Sequence, residues 1–256
     1  MLTYNLFAAL ILISVLAPIA GAIALLFTLS FEREMDILKI ENKKVKLEKE
    51  LQQSEYMQLN QQIQPHFLFN SMNVLLSLAR LQKIDYLIET MEHLTMFLRF
   101  KYQIHEQLIP VKMELDYTKH YLAIQRVRFG ERLSVSINVA HQEAGTALIP
   151  PYLVQTLVEN AFKHGIEKKV GPVHLNISVS IIYEDKILLE VIDNGIGLKD
   201  RTLDMKKSKG HGLKNIDRRL DLLFEGKYQF LIESHKIGGT KVKVIWPLTR
   251  EVEVNT

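Results

Sequence analysis

The sequence predicts three parts in series: an apolar membrane anchor helix, a bundle of amphipathic helices, and a C-terminal α+β sandwich. Three observations predict this. No charged residue occurs between Met1 and Phe31. The following hundred or so residues carry apolar positions at helical spacing with few breakers. Beyond Gly130 the period changes, and strand-like alternation is interleaved with helical stretches.

"LFAALILISVLAPIAGAIALLFTLSF" would be roughly 39 Å long as a helix at about 1.5 Å per residue, enough to cross a hydrocarbon core of about 30 Å once, with tilt. The basic start and short apolar stretch of a secretory signal are missing, so an uncleaved anchor over 1–31 is expected. Pro18 and Gly21 are candidates for a kink in it. Basic residues begin only afterwards, at Arg33, Lys39, Lys43, Lys44 and Lys46, which places the rest of the chain on the cytoplasmic side of a cell membrane.

The next segment, 32–62, lacks Gly and Pro and is built largely from good helix formers. Ile37, Ile40, Leu47 and Leu51 fall at a and d spacing, with Lys44 and Ser54 interrupting the seam. A short coiled coil and a single solvated helix both fit. "FLFNSMNVLLSLARLQ" and "YLIETMEHLTMFLRFKY", within 63–108, are amphipathic with a polar break near Lys83 and Asp85. Two such helices cannot bury their apolar stripes alone, and packing with a second copy gives a four-helix bundle. Over 109–145, Pro110 opens a helix that runs from about 111 to 129 and ends at Gly130, and "LSVSINV" follows as a strand.

In 146–250, "PPYLVQTLVENAFKHGIE" reads as a helix, "VHLNISVSIIY" and "KILLEVID" as strands, "LKNIDRRLDLLF" as a helix, and "YQFLIES" with "TKVKVIWP" as a closing pair. Intermixed hairpins and helices predict a sheet covered by helices on one face.

Composition excludes several functions. The 256 residues carry net charge +3 and no cysteine, so disulfides and thiolate metal sites are ruled out. With 32 basic residues against 29 acidic ones and no basic stripe interleaved with aromatics, no nucleic-acid binding is expected. The nine histidines are dispersed without an HExxH pattern, which leaves zinc unsupported.

Four short motifs carry chemistry: "LVENAFKHG" (157–165), "DNGIG" (193–197), "GHGLKNIDRRL" (210–220) and "GGTKVKV" (238–244). Each alone is weak, since Asn-Gly and Gly are ordinary turn residues. In this order and spacing they resemble the N, G1, G2 and terminal glycine boxes of the GHKL ATP-binding (Bergerat-type) fold. That resemblance implies ATP as ligand and Mg²⁺ as cofactor. Asp193 would accept from the adenine amine. Gly195 and Gly197 would admit the nucleotide against bare backbone. Asn160 would offer a neutral oxygen to Mg²⁺, and Lys163 positive charge to the phosphates. Gly210 and Gly212 would open a helix N-terminus to phosphate, and Thr240 would hold a water at the adenine edge. The polar segment between Gly197 and Gly210 fits a lid or a solvated loop.

"QIQPHFLFN" (62–70) poses a separate question, because a lone histidine among apolar residues is more often a satisfied core residue than a reactive one. Its Pro-His-Phe-Leu-Phe-Asn core, with "MNVLLSLARL", "YLAIQRVRFGERL" (121–133) and "LVENAFKHG", resembles the pattern of LytS-type sensor histidine kinases over about 60–250. The resemblance makes His66 a phosphoacceptor, with Phe67 and Phe69 as bundle packing residues. A neutral imidazole is a competent nucleophile near neutral pH, and phosphoryl transfer requires mainly positioning and charge stabilisation. The commonest histidine kinases have an acidic residue directly after the histidine. Phe67 stands there instead, so Glu159 is the candidate for an orienting carboxylate. Asn70, four residues on, either bonds locally or, as in related kinases, orients a water that hydrolyses the phosphorylated partner.

The expected protein is therefore a homodimeric, membrane-anchored kinase with a response-regulator partner, of LytTR type by the same resemblance. A GHKL scaffold that binds nucleotide without transfer is the alternative.

Overall fold

The computed structural model describes residues 25–47, 65–104, 106–183, 185–198, 211–235 and 238–250, with isolated positions 16, 19 and 21. The chain divides into two compact units, Met1–Glu55 and Tyr56–Thr256.

In the first unit, residues 25–47 form a continuous helix, α1. Ile37, Ile40 and Leu47 of the expected seam are exposed on it. Most of the expected anchor lies outside the described residues, as does the linker over 48–62. Among the described residues no helix is long and apolar enough to cross a membrane.

The second unit opens with α2 (Pro65–Arg80) and α3 (Ile84–Gln103). Pro65 occupies the first helical position, where its missing N–H leaves no bond unmade. The connection is tight: Gln82 adopts φ 55° and the Lys83 N–H donates to Leu78 O at 3.0 Å, closing the end of α2. Next, α4 (Val111–Phe129) begins after Pro110 and ends at Gly130, whose φ of 59° no β-branched residue would adopt cheaply.

Helix α4 fills one side of the α2–α3 hairpin through aromatic rings. Phe67 and Phe97 have centroids 4.8 Å apart, Phe97 stacks on Tyr117 at 4.8 Å, and Phe100 on Tyr117 at 4.1 Å. The hairpin thus buries one stripe within the chain. A second stripe stays uncovered: Phe69, Met72 and Leu76 on α2, and Ile84, Ile88 and Met91 on α3, are all about half exposed or more. Phe67 is a packing residue within the chain; Phe69, expected to be one, is 70% exposed there. Their positions differ by 200° around the helix, which sends them to different faces.

A two-stranded ladder, β1 (Ile109–Pro110) with β3 (Leu148–Ile149), follows the hairpin. The main sheet has five strands in the order β2-β4-β5-β7-β6, comprising β2 (Leu133–Val139), β4 (Val173–Ile182), β5 (Lys186–Asp193), β6 (Gln229–Ser234) and β7 (Thr240–Pro247). Strand β2 runs parallel to β4 and the other neighbours are antiparallel. Between β2 and β3 lies a short helix, α5 (Gln142–Thr146). Alternation buries Val173, Leu175, Ile177 and Val179 on β4, and Ile187, Leu189 and Val191 on β5, with Val244 and Trp246 on β7. This core also holds α6 (Leu153–His164), through Leu153, Leu157 and Phe162, and α7 (His211–Phe224), through Ile216 and Leu220. The architecture is the α+β sandwich expected. Helix α6 is shorter than its sequence pattern, because Tyr152 takes a left-handed conformation (φ 62°) after the two prolines and Gly165 ends it.

Candidate active site

His66 lies in the first turn of α2 with its ring exposed, whereas Phe67 beside it is 5% exposed. The exposed and the buried side chain are thus separated by 100° of helix rotation. One turn on, Asn70 places Nδ2 at 3.3 Å from His66 Nδ1 and 3.2 Å from Nε2, and donates to whichever ring nitrogen is unprotonated. The two residues share a face, as their spacing requires.

The second constellation is built on β5. Its inward row Ile187, Leu189, Val191 continues into Asp193, so the strand period carries a carboxylate into the core at the strand end. Asp193 Oδ1 accepts the Gly195 N–H at 2.7 Å, and the residue pairs with Thr240 across β7. Burial raises its pKa above the ordinary aspartate value; the Gly195 and Thr240 N–H groups and the charges of His235 and Lys169 oppose that rise.

Backbone crowds Asp193 from three segments. A Cβ on Gly195 would sit 2.4 Å from the Gly165 Cα, and one on Gly165 would sit 2.6 Å from Asp193 Oδ1. Gly239, at φ +92°, approaches so closely that a Cβ would lie 2.0 Å from Asp193 O. The "KHG" end of α6, the "DNG" turn and the "GGT" strand start therefore meet at Asp193, the first two at its carboxylate and the third at its main-chain carbonyl. Gly197 lies beside Gly239, where a Cβ would be 3.2 Å from Gly239 O. One turn before the end of α6, Asn160 donates from Nδ2 to Thr156 O at 2.8 Å, which turns Oδ1 away from the helix backbone. Gly212, in the first turn of α7, packs there: a Cβ on it would lie 3.6 Å from Asn160 Nδ2 and 3.9 Å from Oδ1. A neutral amide oxygen and a helix N-terminus are thus side by side, suited to a metal-bound phosphate.

Residues 54–133 match the family model described as histidine kinase, and residues 150–250 match that described as histidine kinase-, DNA gyrase B-, and HSP90-like ATPase. The chain belongs to the LytS-type histidine kinase family. It is similar to the sensor histidine kinase YesM of Bacillus subtilis, 31% identical over 91% of this chain and 40% of YesM. The sensor histidine kinase/phosphatase LytS of Staphylococcus aureus is 33% identical over 79% of this chain and 36% of that protein. The protein YwpD of B. subtilis is 33% identical over 73% of this chain and 68% of its own length. The chain thus spans between a third and two fifths of YesM and LytS.

In this histidine kinase the remaining candidates differ in where the fold puts them. Lys163 is exposed in the last turn of α6. Gly210 and the expected lid lie outside the described residues. Glu159 is buried, accepts the Gln155 Nε2–H at 2.5 Å, and acts electrostatically on Tyr117 and Tyr121 of α4. It faces α4, whereas Asn160 faces α7; the structure does not bring Glu159 to the phosphate side of α6.

Sequence patterns missed Glu114. This fully buried α4 residue accepts the Tyr152 N–H at Oε2 (2.8 Å) and the Gln155 N–H at Oε1 (3.2 Å). Helix α6 has no side-chain cap of its own, so Glu114 caps it from another helix. Burial pushes the Glu114 pKa up to about 7, against the lowering effect of these N–H groups and of Arg219. Arg219 of α7 in turn donates to Pro151 O, so α4, α6 and α7 are joined at one point. The available signal was the absence of Ser, Thr, Asp or Asn just before α6.

Proposed function

We propose that the chain is a membrane-anchored, homodimeric two-component sensor kinase that transfers the γ-phosphoryl group of Mg·ATP to His66 and passes it to an aspartate of a response regulator. The observation that carries this reading is the exposed imidazole of His66 on the same chain as the glycine-walled carboxylate of Asp193. A ring nitrogen of His66 attacks the γ-phosphorus in line; the N–P bond forms as the bond from phosphorus to the bridging oxygen breaks, ADP leaves, and the ring N–H proton passes to solvent. Asn70 holds its amide against the ring, one turn away. Asp193 accepts from the adenine amine, Thr240 holds a water at the base, and Gly195 and Gly197 keep the wall thin enough for the nucleotide to approach. Asn160 Oδ1 is free to hold Mg²⁺, which when bound neutralises phosphate charge; Gly210, Gly212 and Lys163 serve the phosphates.

Three further parts belong to this reading. The uncovered stripes of α2 and α3 meet their counterparts in a second copy. The charge-free Met1–Phe31 anchors the chain in the membrane. The regulator, of LytTR type by family resemblance, docks along the His66 face of α2, where Asn70, Asn73, Ser77, Lys83, Glu89 and Arg126 line a groove of about 930 Å³.

Incubating the chain with γ-labelled ATP tests the proposal. Acid-labile label is expected on the wild type and lost in His66→Gln, with ADP binding retained. Nucleotide binding without label in the wild type would favour a signalling scaffold that performs no transfer, and label retained in His66→Gln would move the phosphoacceptor elsewhere.

A further inference from the structure

The stretch "RVRFGERL" (126–133) bears no direct part in the chemistry above, yet Arg128, Phe129 and Arg132 within it are all engaged by other segments. Arg128 Nη1 pairs with Glu167 Oε1 at 2.5 Å. The guanidinium carbons of Arg128 and Arg132 lie 5.2 and 5.9 Å from the centroid of the Phe129 ring, which itself packs on Phe162 of α6 at 5.5 Å. Arg132 donates from Nε to Gly171 O at 3.1 Å and from Nη2 to Lys169 O at 2.9 Å. Both carbonyls belong to the loop that leaves the 3-10 turn Ile166–Lys168 and enters β4.

Lys169 reaches onward. Its Nζ donates to Asn194 O at 2.6 Å, a charge-assisted bond to the Asn194–Gly195 peptide, whose N–H the Asp193 carboxylate accepts. Asn194 is held from its other side, its Oδ1 accepting the His174 N–H at 2.7 Å. Two hydrogen-bonded steps therefore connect the end of α4 to the turn that carries the buried carboxylate. The planar fork of Arg132 matches two carbonyls two residues apart, a geometry that an ammonium does not reproduce.

We propose that Arg132 is a positioning residue for nucleotide binding: by gripping the Lys169 and Gly171 carbonyls it aims Lys169 at Asn194 O and so sets the Asp193–Gly195 turn for the base. This rests on Asp193 being the adenine acceptor, as argued above. If Arg132 only stapled an exposed loop, its loss would lower stability and leave affinity untouched.

The test is calorimetric titration of the full chain with ADP, comparing wild type, Arg132→Lys, Arg132→Ala, Lys169→Met and the Arg132→Lys/Lys169→Met double variant, at a temperature where thermal scans show each to be folded. Arg132→Lys and Lys169→Met are each expected to weaken ADP about tenfold, the loss of one charge-assisted bond. The double variant is expected to be no weaker than the worse single one, because both act along one route. Should Arg132→Ala fail to fold, Arg132→Lys, with its charge and aliphatic stem intact, carries the comparison. Wild-type affinity in Arg132→Lys overturns the proposal while leaving the kinase reading in place. Multiplying losses, about a hundredfold in the double variant, overturn the route through Lys169. No ADP binding by the wild type would remove both readings together.

Discussion

The rings of Phe67 and Tyr121 pack with centroids 4.7 Å apart, so the residue next to His66 leans directly on α4. Tyr121 also meets Phe162 of α6 edge-on at 5.8 Å. One ring thus touches both the helix that carries His66 and the helix that carries Asn160. Phe67→Ala is expected to destabilise the fold by about 3 to 5 kcal/mol, as for other buried aromatics, in urea unfolding. Tyr121→Phe keeps the ring and loses only the hydroxyl's bond to Gln125, at about 1 kcal/mol. Equal costs for the two would show that ring packing is not what matters here.

Glu114 links stability to pH. Its pKa rises from 4.5 to about 7 on folding, so the folded chain holds this proton more tightly than the unfolded one. Its contribution is full below about pH 4.5 and is lost as pH rises through about 7. Glu114→Gln removes that dependence. The melting temperature of the wild type minus that of Glu114→Gln should therefore fall between about pH 5 and about pH 8. A difference independent of pH would contradict the burial of a titrating carboxyl.

Gly195→Ala places a methyl 2.4 Å from the Gly165 Cα, and two backbone segments must part to admit it. ADP affinity should drop by about tenfold or more, while the α2–α3 hairpin keeps its helical signal. Undiminished affinity in a titration would mean that the Asp193 turn does not contact nucleotide.

Leu76→Glu sets a charge in the middle of the uncovered α2 stripe, between Met72 and the end of the helix. Sedimentation should show a dimer for the wild type and a monomer for the variant. A dimer in both would place the contact between copies elsewhere.

Asn70 is poised against the His66 ring, and its amide can also hold a water for attack on a phosphorylated regulator. The name of the S. aureus relative includes a phosphatase. Asn70→Ala should keep autophosphorylation and transfer, yet lengthen the lifetime of the phospho-regulator when kinase is present. If wild type accelerates decay and the variant does so equally, Asn70 is only structural.

Elements bracketed by local signals were legible in the sequence. Pro110 and Gly130 delimit α4 at both ends, and the alternation through Ile187, Leu189 and Val191 already assigns Asp193 to the inner face. Features that depend on distant partners were not. On α4, Lys112, Glu114 and Asp116 look alike as charged helix positions, and only the fold brings Glu114 to N–H groups 38 and 41 residues away. Glu159 and Asn160 are neighbours in the sequence, but a rotation of 100° turns Glu159 to α4 and Asn160 to α7. The two-residue ladder of β1 and β3 is too short to show a period, and α5, with Gly145 inside it, lacks helical signals.

Strand β2 comes before α5 in the chain yet forms the edge of the sheet, running parallel to β4 over seven residue pairs from Leu133↔Val173 to Val139↔Val179. Anyone exchanging modules between kinases of this kind would cut where the matched ATPase region begins, at residue 150, and would strip that edge. The backbone groups of β4 would then be left open to pairing with other chains. Since α4 also supplies Glu114 to α6 and leads into Arg132, the workable seam for a chimaera lies ahead of Val111, in the short connection after α3. Spliced there, the donor half keeps its edge strand, its borrowed helix cap and its grip on the loop as one inherited block.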